Sequence, residues 1–148
     1  MDSDAVVVAI GCDHAGFPLK QAVIDALAGA GFVVVDLGTD GVTGVDYPDF
    51  AHAVCSEVVA GAVRFGVLIC GSGVGMSIAA NRHPGIRCVL AADPTTARLA
   101  RGHNDANVLA LGARLIAAAT AADILKAFFA TNYEGGRHDR RLAKLAPV

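Results

Sequence analysis

A cysteine at the end of a short apolar strand, followed at once by glycines, is the part of the sequence best suited to chemistry. The strand ends at Cys70, and the chain continues as Gly71-Ser72-Gly73-Val74-Gly75 before a predicted helix. In open parallel sheets, ligands bind outside the carboxyl ends of the strands, which is where Cys70 is expected to lie. Glycines allow several backbone N–H groups to face one negative charge, and a helix start adds a favourable field. Such surroundings favour a thiolate, so the segment predicts an enzyme that moves a proton or attacks carbon beside a developing oxyanion.

Polar side chains also stand at other corners of the predicted sheet, where strands end or begin. Asp13 and His14 lie between two glycines after the first strand. His103 and Asn104 lie just before the fifth strand. Because the carboxyl ends of parallel strands gather at one edge, such corners are expected to supply the remaining groups of a site around Cys70. The corner segments are residues 11–16, 45–48, 70–75, 92–94 and 102–105.

Each of these polar residues also has a structural interpretation. Asp13 fits a helix N-cap or an Asx turn equally well. His103, at a predicted helix end, interacts favourably with the helix dipole whatever its chemistry. Near the C-terminus, Arg137, His138 and Arg141 belong to a basic cluster, and a solvated helix face is the more common meaning of such clusters. Arg137 and Arg141 are nevertheless four residues apart and share a helix face, which suits two guanidinium groups to binding one phosphate.

Better-known anion-binding motifs do not fit the glycine turn. Residues 71–75 do not form a G-x-G-x-x-G motif, and no acidic residue is clearly placed for a ribose hydroxyl, which disfavours a dinucleotide site. No Gly-Lys-Ser/Thr sequence is present, so the turn is not a P-loop. A cysteine phosphatase needs an arginine at the end of its anion loop, where this chain has Met76.

Composition narrows the class of protein and its partners. The chain has 148 residues, of which 54% are hydrophobic, and a formal net charge of −2. That size suits one domain with a real core, and the absence of a basic tract argues against nucleic acid as a partner. The acidic N-terminus lacks the basic region of a secretory signal, and no apolar run approaches the length of about 18 residues typical of a membrane span. The four cysteines, at positions 12, 55, 70 and 88, have no metal-site spacing, which favours free thiols in a reducing cytoplasm.

Apolar runs alternate with helical stretches five times along the chain, joined by short connections. This pattern predicts parallel strands with right-handed crossovers, and therefore a Rossmann-like, three-layer α/β/α sandwich formed by residues 1–148 as a single domain. A basic helix from Arg137 to Leu145 is expected at the C-terminus. The predicted strands are Val6–Ile10, Phe32–Val35, Val67–Cys70, Ile86–Ala91 and Val108–Leu111, and the predicted helices are Pro18–Ala28, Pro48–Gly61, Val74–Arg82, Pro94–Arg101 and Ala117–Ala130.

Taken in order, six segments resemble the ribose-5-phosphate isomerase B family, which also includes allose-6-phosphate and galactose-6-phosphate isomerases. Any one segment is weak evidence, but the full set extends over nearly the whole chain. The family interconverts aldose and ketose phosphates through an enediol, and the resemblance implies that neither a metal nor a nucleotide cofactor is needed. The segments are residues 11–16, 46–48, 70–75, 79–81, 102–109 and 133–138.

The resemblance also implies how the catalytic work is divided. His103 would open the sugar ring, with Asp13 and Asn104 assisting. Cys70 would be the base that moves the proton between neighbouring carbons. Another branch of the family uses a glutamate at the position of Met76, and because methionine cannot accept a proton, this chain resembles the cysteine branch.

The remaining site residues are also implied by the resemblance. Ser72, where the family often has threonine, would relay a proton between the two oxygens. Backbone amides of the glycine turn, at Gly71, Gly73, Val74 and Gly75, would stabilise the enediolate. The residues expected to bind the substrate and its phosphate are His14, Tyr47, Arg114, Arg137, His138 and Arg141.

In the family, the site lies between two subunits, so at least a dimer is expected. Some galactose-6-phosphate isomerase subunits lack the catalytic cysteine or histidine. Having both Cys70 and His103 therefore favours a homo-oligomer. Ribose 5-phosphate is the expected substrate, with other four- to six-carbon sugar phosphates as alternatives. A non-catalytic phosphate- or nucleotide-binding module of similar fold is the competing class, and it would leave His103 and Arg137 without roles.

Overall fold

Five short apolar segments form one parallel sheet. They are β1 (Val7–Cys12), β2 (Val33–Asp36), β3 (Phe65–Cys70), β4 (Cys88–Leu90) and β5 (Val108–Gly112). Their order across the sheet is β2-β1-β3-β5-β4, and every neighbouring pair is parallel. The structure, a computed structural model, describes residues 4–147. Residues 1–3 of the acidic N-terminus lie outside the described residues, and so does residue 148.

Helices cover both faces of this sheet. Helices α1, α4 and α5 pack together over one hydrophobic cluster, and α2 and α3 pack over the other. The predicted three-layer α/β/α sandwich with five parallel strands and a basic C-terminal helix is therefore confirmed. The helices are α1 (Phe17–Gly29), α2 (Tyr47–Val59), α3 (Val74–Ala80), α4 (Pro94–Asn104), α5 (Ala118–Ala130) and α6 (Arg137–Ala143).

Alternation of side chains along β3 decides where its terminal cysteine points. Val67 and Ile69 belong to the cluster under α1, α4 and α5, whereas Leu68 and Cys70 belong to the cluster under α2 and α3. Because successive residues of a strand point to opposite faces, and both faces are covered, the segment reads as one continuous apolar run. The thiol of Cys70 thus lies on the α2–α3 side of the sheet, at the end of a central strand.

Several elements end a few residues from their predicted bounds. Strand β1 continues through Cys12. Helix α4 continues to Asn104, because the chain leaves the helix only where Asp105 adopts a left-handed φ of 46°. Strand β4 is shorter than predicted, since the backbone before it bonds to the loop ahead of β5. There, the N–H of Arg87 donates to Oδ1 of Asn107 at 2.8 Å.

The edge strand β4 is closed on its outer side by an asparagine. Oδ1 of Asn81 accepts from the N–H of Cys88 at 2.8 Å, and Nδ2 of Asn81 donates to the carbonyl of Cys88 at 3.0 Å. The side-chain amide therefore makes both bonds that a sixth strand would make at Cys88. An open strand edge is a template for unwanted pairing, so this contact protects the sheet as well as joining the end of α3 to β4.

Replacing Asn81 by alanine is expected to lower the free energy of unfolding by about 1–2 kcal/mol, because two hydrogen bonds to Cys88 are lost. Urea denaturation followed by circular dichroism measures the change. Asn132→Ala, at another exposed asparagine, is the matched control and is expected to unfold like the unmodified protein. Equal midpoints for the two variants would show that the contact adds no stability.

Candidate active site

The Cys70 loop, residues 70–75, holds the thiol against a backbone amide. Cys70 is 5% exposed, and the N–H of Gly73 donates to its Sγ at 3.1 Å. Gly73 adopts a left-handed φ of 80°, which directs this amide back toward the sulfur. This hydrogen bond fixes the position of the sulfur at the end of β3, inside the glycine loop, which suits Cys70 to act as a base or nucleophile.

Two glycines of this loop are required by close packing. A Cβ at Gly73 would lie 2.5 Å from Cδ1 of Leu90 and 3.0 Å from the backbone of Leu111. A Cβ at Gly75 would lie 2.6 Å from Cζ of Tyr47. The ring of Tyr47 therefore lies directly on the start of α3, beside the Cys70 loop. A side chain at either glycine would force the loop or its cover away.

Ser72 and Arg114 complete the surroundings of the loop. Oγ of Ser72 accepts from the N–H of Val74 at 3.2 Å, and the side chain is partly exposed. The N–H of Arg114 donates to the carbonyl of Gly71 at 3.0 Å, and the guanidinium lies against Gly71, with Nη1 3.3 Å from the position of a Cβ there. One hydroxyl and one permanent positive charge thus border the thiol loop.

The Asp13 turn packs against the end of β3. The N–H of Asp13 donates to the carbonyl of Ile69 at 3.3 Å, and Oδ1 of Asp13 accepts from the N–H of Gly16 at 2.9 Å. The structural interpretation of Asp13 as a turn residue is thus observed, and it places a carboxylate, 5% exposed, beside Cys70's strand. Nδ1 of His14 accepts from the N–H of Val45 at 3.2 Å, which ties the loop before α2 to the same corner.

One predicted corner proves to be a helix cap. Oδ1 and Oδ2 of Asp93 accept from the N–H and hydroxyl of Thr96 at 2.8 and 3.0 Å. These hydrogen bonds lower the pKa of Asp93, and they explain the acidic residue at the start of α4 without a catalytic role.

The structure divides the predicted site residues between the two ends of the sheet. Strands β3 and β5 pair from Gly66 with Val108 to Cys70 with Gly112, and strands of this length span roughly 13 Å. His103 comes before the amino end of β5, so it lies at the opposite end from Cys70. At the carboxyl end, the structure brings together Asp13, His14, Tyr47, Cys70, Gly71, Ser72, Gly73, Val74, Gly75 and Arg114. At the amino end, it gathers His103, Asn104, Arg137 and His138, with Arg141 one turn further along α6.

The amino-end group is organised by stacking of two histidines. The rings of His103 and His138 have centroids 4.4 Å apart and an angle of 18° between their planes. Glu134 lies beside both, with carboxylate oxygens 3.5 and 3.7 Å from their Nε2 atoms. Sequence reasoning gave Glu134 no role, although it stands in a segment that interrupts the helical pattern just before the basic cluster. Within residues 4–147, these three side chains also form a group with metal-ligand chemistry, their ligand atoms lying within 4.8 Å of one another.

A cavity of about 820 Å³ lies along the outer side of β4, under the end of α6. Its lining includes Arg87, Leu90, Asn104 and Leu142, but no residue of the Cys70 loop. The groups of the two ends therefore do not share this cavity. In addition, no helix within residues 4–147 is long and apolar enough to cross a membrane.

The other three cysteines are chemically unlike a catalytic thiol. Burial raises the pKa of Cys12 to about 11 and that of Cys55 to about 12. Burial also raises the pKa of Cys88 well above its ordinary value, with a further contribution from Cys55. These thiols stay protonated at neutral pH, as expected of cysteines that serve as packing residues.

Iodoacetamide at pH 8 is expected to alkylate Cys70 before the other cysteines. A raised pKa favours the neutral thiol below that pKa, so about one in 1,000 Cys12 side chains would be thiolate at this pH, and fewer for Cys55. Peptide mass spectrometry over time gives the order of modification. In Cys70→Ala, the remaining cysteines should react only slowly, and faster reaction at Cys12, Cys55 or Cys88 than at Cys70 would contradict the assignment.

The fold and both groups of side chains define an α/β enzyme that handles protons on a small anionic substrate. Residues 8–145 match the protein family described as Ribose/Galactose Isomerase. Ribose-5-phosphate isomerase B of Escherichia coli K12 is 45% identical over 141 residues, which are 95% of each chain. A putative sugar phosphate isomerase of Bacillus subtilis is 44% identical over 140 residues, which are 94% of each chain.

Solved structures agree with these relatives. A ribose 5-phosphate isomerase from Thermotoga maritima has a TM-score of 0.94 and 49% identity, covering 97% of this chain and 99% of that one. A ribose-5-phosphate isomerase B from Clostridium thermocellum has a TM-score of 0.93 and 44% identity, covering 95% of each chain. The chain belongs to the ribose/galactose isomerase family, and it is an aldose–ketose isomerase, as its sequence predicts.

Proposed function

We propose that this protein interconverts ribose 5-phosphate and ribulose 5-phosphate through a cis-enediol, with Cys70 as the base. The observation that carries the proposal is the thiol at the end of β3, held by the Gly73 amide at 3.1 Å inside a glycine loop. The relatives that extend over nearly the whole chain support this pentose phosphate as the substrate.

In the proton-transfer step, the Cys70 thiolate takes the proton from C2 of the open-chain aldose. The C2–H electron pair forms the C1–C2 double bond, and the carbonyl electrons move to O1 as an enediolate. Amides of residues 71–75 would stabilise that oxygen, and one such donor is typically worth about 3 kcal/mol of barrier. Ser72 passes the O2 proton to O1, and Cys70 returns its proton to C1 as the C2 carbonyl forms, so no atom is gained or lost.

Ring opening precedes this step, and we assign it to His103 assisted by Asp13 and Asn104. The phosphate is assigned to Arg137 and Arg141, with further contacts to the substrate from four other residues. Binding energy from the phosphate, which does not react, would hold the open chain in place for proton transfer. The additional contacts are His14, Tyr47, Arg114 and His138.

The separation of the two groups supports a site shared between two copies of the chain. Cys70 and His103 lie at opposite ends of the sheet, so one chain alone does not bring base and ring-opening acid together. Exposed apolar side chains lie beside the Cys70 loop: Val74, 47% exposed, Ile78, 55% exposed, and Leu90, 37% exposed. A homodimer related by a twofold axis would cover these side chains and present the amino-end group of one copy to the Cys70 loop of the other.

The free thiols and the balanced charge support a reducing, cytoplasmic setting with a small-molecule partner. All four cysteines are unpaired, and the formal net charge is −2. Disulfides are rare in the cytosol, and a nucleic-acid partner would favour a basic face.

Cys70→Ala is expected to lower the rate of isomerisation by roughly 10²- to 10⁴-fold while substrate still binds, because the proton-transferring group is lost. Proton NMR of ribose 5-phosphate in D₂O with a chelator measures both product and deuterium at the exchanged carbon. Cys88→Ala, which removes a thiol outside the loop, is the matched control. Turnover by Cys70→Ala near that of the control would refute the assignment of the base.

The same NMR assay tests the substrate. Ribulose 5-phosphate carrying deuterium is the expected product of the unmodified protein. If ribose 5-phosphate gives neither product nor exchange, while allose 6-phosphate gives both, the substrate is a hexose phosphate. If neither sugar reacts, the proposed reaction is wrong.

A mixture of Cys70→Ala and His103→Ala chains is expected to regain activity that neither variant has alone. After random exchange of subunits, half of the dimers are mixed and each has one intact shared site, so about a quarter of wild-type activity should return. Each variant is unfolded and refolded alone as a control. No recovery, with mixed dimers demonstrated by native mass spectrometry, would mean that each chain supplies its own complete site.

A further inference from the structure

The carboxylate of Glu134 lies across the Nε2 atoms of two stacked imidazole rings. Oε2 is 3.5 Å from Nε2 of His103, and Oε1 is 3.7 Å from Nε2 of His138. His138 is buried, and its Nε2 has no hydrogen-bond partner among residues 4–147. One negative charge therefore faces two imidazoles, of which His103 is the more exposed.

The backbone fixes Glu134 beside the end of α4. The N–H of Glu134 donates to the carbonyl of Gly102 at 3.0 Å. A Cβ at Gly102 would lie 2.8 Å from Oε2 of Glu134, so a larger residue there would displace the carboxylate from this position. The glycine before His103 thus leaves space for the carboxylate of Glu134.

The turn after Glu134 places His138 beside the carboxylate of Glu134. Gly135 and Gly136 adopt left-handed φ angles of 67° and 59°, after which α6 begins and His138 returns to the carboxylate. The hydroxyl of Tyr133 donates to Oδ1 of Asp139 at 2.6 Å across the same turn. The segment has the fixed geometry expected of groups that position a reactive side chain.

The ring geometry favours a shared carboxylate over a shared metal ion. Metal–imidazole bonds lie near the plane of each ring, along the nitrogen lone pair. The rings of His103 and His138 are 18° from parallel and stacked at 4.4 Å, so their lone pairs run side by side and do not converge on one point. A carboxylate has two oxygens and can face both nitrogens in this arrangement.

We propose that Glu134 is a positioning residue for sugar ring opening, a role that rests on the proposed function. Its carboxylate faces Nε2 of His103, fixes the orientation of the ring and stabilises the imidazolium, leaving Nδ1 for the sugar. Two stacked imidazolium rings would repel each other, and the single charge of Glu134 balances one of them.

The first step of ring opening uses the imidazolium of His103 as the acid. Nδ1–H of the His103 imidazolium gives its proton to the ring oxygen O4 as the C1–O4 bond breaks. The neutral imidazole then takes the proton of the C1 hydroxyl, and the O–H electron pair forms the C1 carbonyl. The proton has moved from O1 to O4 and His103 ends as imidazolium, so Glu134 stabilises the form in which the cycle begins and ends.

Ring opening can be measured separately from isomerisation in Cys70→Ala. This variant keeps the groups assigned to ring opening, so it should accelerate exchange between the two anomers of ribose 5-phosphate, measured by exchange NMR. Adding Glu134→Gln is expected to slow the catalysed exchange about 10- to 100-fold, because the neutral amide does not stabilise the imidazolium. Glu134→Asp, which keeps the charge, should restore part of the rate. Glu57→Gln, at the only other glutamate of the chain, is the matched control.

The direction of the full reaction gives a second readout in otherwise unmodified protein. Ribulose 5-phosphate cannot form a ring through its phosphorylated C5 oxygen, so the ketose-to-aldose direction starts from an open chain. Glu134→Gln should therefore reduce kcat/KM for total ribose 5-phosphate about 10-fold or more and change kcat in the ketose direction about twofold or less. Because the equilibrium constant fixes the ratio of the two kcat/KM values, the comparison uses kcat in the ketose direction. A loss of that kcat as large as the loss of kcat/KM for ribose 5-phosphate would point to general damage and overturn the inference.

The outcomes separate this inference from the proposed function. Isomerisation by the wild-type protein tests the function itself. If that activity is present, anomer exchange that Glu134→Gln leaves unchanged overturns the role of Glu134. Absence of any accelerated exchange in Cys70→Ala overturns it equally, because no ring opening would then take place for Glu134 to assist. Circular dichroism melting and native mass spectrometry confirm that the variants fold and associate like the control.

Discussion

The parallel pairing of β3 between β1 and β5 is the constraint on which the site depends. Because all strands point the same way, the turns after β1, β3 and β5 meet at one edge, and this brings Asp13, Cys70 and Arg114 together. Because α4 ends just before β5, the same pairing places the end of α4 at the amino edge of the sheet. His103 therefore lies at the opposite end from the thiol. Backbone direction thus places Cys70 and His103 at opposite ends of the sheet.

At the carboxyl end of the sheet, three glycines lie in close contact with neighbouring segments of the chain. Gly16 lies against the carbonyl of Ile69, Gly73 lies against Leu90 and Leu111, and Gly75 lies under the ring of Tyr47. Each contact occupies the space where a side chain would begin. The loop around the thiol is therefore held by the sheet on one side and by α2 on the other, which limits how far Sγ can move from the Gly73 amide.

Local signals in the sequence predicted the layers, and they indicated which residues lie together at the carboxyl end of the sheet. Apolar runs bounded by glycines defined the strands, and Cys70 was located by its place at a strand end. The amino-end group could not be placed in the same way. Residues 102–105 are expected near Cys70 from their place among the corner segments, but they precede the amino end of β5 and therefore lie at the opposite end of the sheet. The role of Glu134 depends on contacts between Gly102, the glycine turn and two rings, and no periodic pattern carries that information.

The closure of β4 by Asn81 has a consequence for how copies of the chain can associate. With the N–H and carbonyl of Cys88 already engaged, a second molecule cannot add its own strand at that position and prolong the sheet. Contact at this flank is left to exposed side chains such as Leu90. Growth into a continuous ribbon through this edge is thereby discouraged.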